Sequence, residues 1–65
     1  MAPKGDYHLV PVISGTDIIN GATVRIVCQN DTEAIEEAYK RLNDLDIEIW
    51  HVARCVTRIA ARDPR

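Results

Sequence analysis

The 65-residue chain has no phenylalanine, one tryptophan and two tyrosines. Sheets that bind RNA stack bases on several aromatic side chains. Here Trp50 is the only such platform in the arginine-rich last third. The two cysteines, Cys28 and Cys55, are too few for the disulfide framework of a small secreted domain. Three glycines build no phosphate-cradling loop. No apolar run approaches the roughly 18 residues of a membrane span. Residues 1–6 hold no apolar stretch of signal-peptide type. Neither sign of charge dominates: eight Lys/Arg face ten Asp/Glu, for a net charge of −2. The whole chain therefore exerts no general pull on nucleic acid. These absences lead us to expect a cytoplasmic protein with reduced thiols and no contact with the membrane.

What is present is globular in composition, with 46% hydrophobic and 28% charged residues. The length allows one domain, expected at 7–60 between flexible tails at 1–6 and 61–65. Domains this small bury little surface and commonly add disulfides, a metal or oligomerisation to become stable.

Residues 7–13 read as a strand, and Pro11 within it suggests an edge position, because proline cannot donate to a ladder. Ser14-Gly15-Thr16-Asp17 and Asn20-Gly21 carry turn chemistry, which places a reversal in 14–21 and a second strand at 22–29. A helix follows. Asn30 or Asp31 can cap it, and Glu33 stands at capping-box spacing from Asn30. Ile35, Ala38, Tyr39 and Leu42 recur at i, i+3, i+4 and i+7, one apolar stripe. Residues 47–59 favour strand, but their parity breaks: Ile47 and Ile49 are apolar at odd positions, Val52 and Val56 at even ones. A reversal or bulge near 51–54 explains this; one bent strand is the alternative. The expected fold is a two-layer α+β domain, a small antiparallel sheet with one helix on one face. Its order is ββαββ, or ββαβ with a bent last strand.

Tyr7-x-Leu9, Asp31-x-Glu33-Ala34-Ile35 opening a helix, and Ile47-Glu48-Ile49-Trp50 followed by Ala53-Arg54 and Val56-x-Arg58 form a recurring order. In these residues the chain resembles a group of short, uncharacterised bacterial proteins with an aromatic strand, an acidic helix start and a closing E-x-W-x-x-x-R hairpin. The resemblance spans residues 7–60. It implies the ββαββ arrangement and no activity. The glycine usual in the closing turn is replaced here by Val52-Ala53.

His8, Cys28, His51 and Cys55 are the right inventory for tetrahedral zinc, but no two share a knuckle spacing. On an extended strand, His51 and Cys55 lie about 13 Å apart. We expect no metal and no cofactor. Cys28 precedes the helix, where the dipole could lower its pKa, yet Asp31 and Glu33 oppose that shift, and its parity points it into the core. The helix carboxylates read as a solvated face. No catalytic residue, enzymatic activity or small-molecule substrate is expected.

The surplus is apolar. Leu9-Val10-Pro11-Val12-Ile13 and Val24-Arg25-Ile26-Val27-Cys28 are hydrophobic at odd and even positions, so both sheet faces want cover and one helix covers one. With Val24, Ile26, Ile47 and Ile49 facing the helix, Val10, Val12, Val27 and Trp50 fall on the open side, with Arg54 beside them. These five are the expected interface of a binding or structural module, a homodimer joined through the open face or an edge strand. One alternative is a nucleic-acid accessory protein contacting phosphates with Arg54, Arg58 and Arg62. Another is a small partner or inhibitor of an enzyme complex.

Overall fold

The computed structural model describes residues 5–62. Five elements follow in order: β1 (Gly5–Val12), β2 (Val24–Cys28), α1 (Asp31–Lys40), β3 (Asp46–His51) and β4 (Arg54–Ile59). The strands make one antiparallel sheet in the order β2-β1-β3-β4. This is the expected α+β arrangement with one helix and a closing hairpin.

β1 is a central strand, which corrects the edge position inferred from Pro11. The proline fits because β2 stops short: β1 and β2 pair only as far as Leu9 opposite Val24. Beyond that point the Asn20 N–H donates to the Pro11 carbonyl at 2.9 Å. The N and O of one strand residue point the same way. The donor that Pro11 lacks would therefore face a connecting loop, where no ladder needs it. The reversal itself is tight. The Thr16 N–H donates to the Ile13 carbonyl at 3.0 Å, and Gly15 has φ of 78°, the left-handed third position of a type II turn. Ile19 then bridges back to Val12 before the chain rejoins the sheet.

Asn30 caps α1, its side-chain oxygen accepting from the Glu33 N–H at 2.8 Å. Ala34 and Ala38 are the buried pair of the helix, and their small side chains let it lie close to the sheet. Ile35 and Leu42 pack at the margins of the core. Tyr39, expected in the stripe, is 50% exposed. One hundred degrees beyond Ala38 turns it off the sheet. The core under the helix joins Tyr7, Leu9, Cys28, Ile47, Ile49 and Ile59 to the two alanines.

His51-Val52-Ala53-Arg54 is a two-residue hairpin loop between β3 and β4. Val52 stands at φ 60°, where a type II′ turn prefers glycine. A register shift between Ile49 and Trp50 sets the parity break one step inside the hairpin. Gly5 and Asp6, assigned to a tail from the sequence, begin β1. Ala61 and Arg62 are also tied down, their N–H groups donating to Asp46 Oδ1 at 2.7 Å and the Asn43 carbonyl at 2.8 Å. The rest of the expected tails, 1–4 and 63–65, lies outside the described residues.

Candidate interaction surface

Cross-strand partners share a face, so the register sorts the side chains. Tyr7, Leu9, Ile26, Cys28, Ile47 and Ile49 face the helix. On the other side lie Val27 with Asp6, then Arg25 with His8 and Trp50, then Val10 with Glu48 and Arg58, then Val12 with Asp46. Trp50 and Val10 thus take the open side that parity assigned them. The face is not the apolar sheet expected: charged residues stand between Val27, Trp50 and Val10. Each is partnered. Arg25 bonds Asp6 at 2.9 Å, and the Trp50 indole N–H donates to Glu48 Oε1 at 3.1 Å.

Val12 is only 1% exposed, which removes it from any accessible surface. Its cover is the 13–20 loop, held down by Arg58. The Arg58 guanidinium donates to Asp46 Oδ2 at 3.0 and 2.8 Å, and to the Thr16 carbonyl at 2.7 Å. Glu48 and Asp17 add ionic contacts at 3.5 and 3.6 Å. Asp46 is buried on the sheet, yet the Ala61 N–H and Arg58 hold its carboxyl below the usual range. Sequence reasoning gave Arg58 a phosphate; the structure gives it a clasp across the chain's own loop.

The three candidate arginines do not share a surface. The shifted register places Arg54 opposite His51 on the helix side, and Arg58 opposite Glu48 on the open side. Arg54 reaches Asp31 at 3.5 Å. Arg62 donates to the Tyr39 carbonyl at 3.4 Å, beside the end of α1. Arg54 is thereby also separated from Val10, Val27 and Trp50.

A polar cluster that the sequence did not announce surrounds the start of α1. The buried Tyr7 hydroxyl donates to Asp31 Oδ1 at 2.7 Å, and the Tyr7 ring stacks on His51 with centroids 4.4 Å apart. Gly5 makes room for the imidazole: a Cβ there would fall 2.6 Å from His51 Nε2. The bond to Asp31, reinforced by burial, pushes the Tyr7 phenol up to about 12. The same bond, with Arg54 assisting, lowers Asp31.

His51 and Cys55 lie on opposite faces, Cys28 is buried and Cys55 exposed. Among the described residues no group of three metal-ligating side chains could hold an ion, and no helix is long and apolar enough to cross a membrane. A cavity of about 130 Å³, lined mainly by Leu9, Pro11, Val24, Leu45 and Ile47 with Arg41 among its other walls, opens where the short helix ends before the sheet does.

The two outer strands differ most. β4 carries the features that keep a strand edge from pairing: a register irregularity, and the charged Arg54 and Arg58. β2 has no such irregularity and no proline, and its single charge is matched by Asp6. Val24 and Val27 are 39% and 49% exposed along it. Among the described residues no strand lies beyond β2. Comparison with known proteins finds no family model, no curated protein and no solved structure that matches this chain.

Proposed function

We propose that the chain is a non-enzymatic binding module that works as a homodimer. The observation that carries this is the undefended β2 edge, flanked by half-exposed valines on a domain too small to leave apolar edges idle. The open face adds Val27 at the rim of that edge; Val10 and Trp50 stand further in, away from it. The non-enzymatic part rests on the polar side chains. Tyr7, Asp31, Asp46, Glu48, Arg54 and Arg58 are all engaged with one another or with backbone, in the manner of a stabilised fold.

Light scattering across a concentration series tests the homodimer. A mass twice the 7.3 kDa of the chain is the expected result. A single species of monomer mass at high micromolar concentration overturns it.

A further inference from the structure

We infer, resting on the homodimer proposed above, that two copies join β2 to β2 in antiparallel register with Ile26 opposite Ile26 across the twofold axis. The product is one continuous sheet with both helices on the same side.

The geometry narrows the choice to this register. Two identical chains meeting at a closed interface are related by a twofold axis. For antiparallel neighbours in one sheet that axis stands perpendicular to the sheet. Each face then continues into the same face of the second copy, so the axis must pass midway between one residue and its own copy across the pair. β2 offers three such centres near its middle: Arg25, Ile26 and Val27. Centring on Arg25 leaves Val27 and Cys28 opposite residues outside the strand and also brings two guanidinium groups together. Centring on Val27 sets Val24 against Asn30, whose side chain is already committed to capping α1. Centring on Ile26 pairs all five residues of the strand.

The side chains then match. On the helix face Ile26 meets Ile26, and Val24 meets Cys28 of the second copy. The half-buried Ile26 packs on the core of its own chain, so the contact joins two cores through one pair of residues. On the open face Arg25 meets Val27. The Arg25 charge is matched before it arrives, because Asp6 of its own chain bonds it at 2.9 Å. Its aliphatic stem is left to lie along the valine.

The β4 edge is the worse candidate: its bulge would break a second ladder, and Arg58 is spent on the 13–20 loop. The open face is interrupted by Asp6, His8, Arg25 and Glu48.

The test mixes isotope-labelled and unlabelled protein and records filtered NOEs between copies. Contacts from Ile26 methyls to Ile26 of the other copy are expected. Val27→Lys, which sets a lysine against Arg25 at two symmetric places, should weaken the dimer by roughly tenfold or more. Val27→Thr keeps the branched shape and should retain it, as should Val10→Thr on the open face. Circular dichroism of each variant confirms that it folds. A dimer without the Ile26 contact, or one weakened by Val10→Thr and indifferent to Val27→Lys, overturns the β2 pairing and leaves the homodimer standing. A monomer overturns both.

Discussion

Val52 is the least comfortable residue in the chain. It is β-branched, 84% exposed, and held at φ 60°. Side chains of this shape avoid that region, at a cost on the order of 1–3 kcal/mol. Val52→Gly should stabilise the fold by about 1 kcal/mol, read as a higher midpoint in urea; an unchanged or lower midpoint would show that the turn is relaxed. The sequence hinted at the hairpin through its parity break, but a turn without glycine hides its own position. Tyr7 makes a second prediction. Its phenol is raised from 10.0 to about 12 in the fold. The folded chain holds that proton more tightly than the unfolded chain, so the contribution is complete below pH 10 and fades as pH climbs toward 12. Absorbance titration at 295 nm should show one late-ionising tyrosine, and Tyr7→Phe should abolish that late step. Retention of the step in Tyr7→Phe would overturn its assignment to Tyr7. Nothing in the sequence pairs Tyr7 with Asp31, which lies 24 residues away.

Among the elements, the helix was the most legible and the sheet order the least. Capping and amphipathic spacing are local properties, so Asn30 and the Ala38 face could be read directly. Asn30→Ala should lower stability by about 1 kcal/mol, because the Glu33 N–H loses its acceptor. Thermal denaturation checks this, and an unaltered midpoint would mean that water replaces the cap at no cost. The apolar stripe is narrower than its spacing suggests and leaves Tyr39 half exposed, since spacing alone cannot tell a core alanine from a marginal tyrosine. The proline rule failed for a definite reason. It concerns the partner of one N–H, and on its β2 side β1 has a partner strand over its first half but only a loop beside Pro11. A strand can be central at one end and edge-like at the other. The same locality misled the arginines: four-residue spacing puts Arg54 and Arg58 on one face only if no register shift intervenes, and one does.

For the molecule as a whole, the apolar surplus of the sequence divides in three. The helix takes the share that includes Leu9, Ile47 and Ile49. The 13–20 loop, fastened by Arg58, takes Val12. Of what is left, the proposed dimer accounts for Val24 and Val27 on β2, while Ile18, Ile19, Tyr39 and Val52 stay exposed in the loop, the helix and the hairpin turn. The loop could not be foreseen as a cover, because its fastener sits far along the chain: Arg58 reaches the Ile13 carbonyl across 45 positions at 3.4 Å. That distance in sequence has a temporal meaning. The β3–β4 hairpin closes through two residues and can form within microseconds. Docking β1 against β3 must wait for Leu9 to find Ile49, forty positions on. Arg58 meets the loop only when both have happened, so its bonds to Ile13 and Thr16 are expected late in folding, while those to Asp46 and Glu48 lie within the hairpin. A contact formed that late bears on how long a native state lasts more than on how fast it is reached.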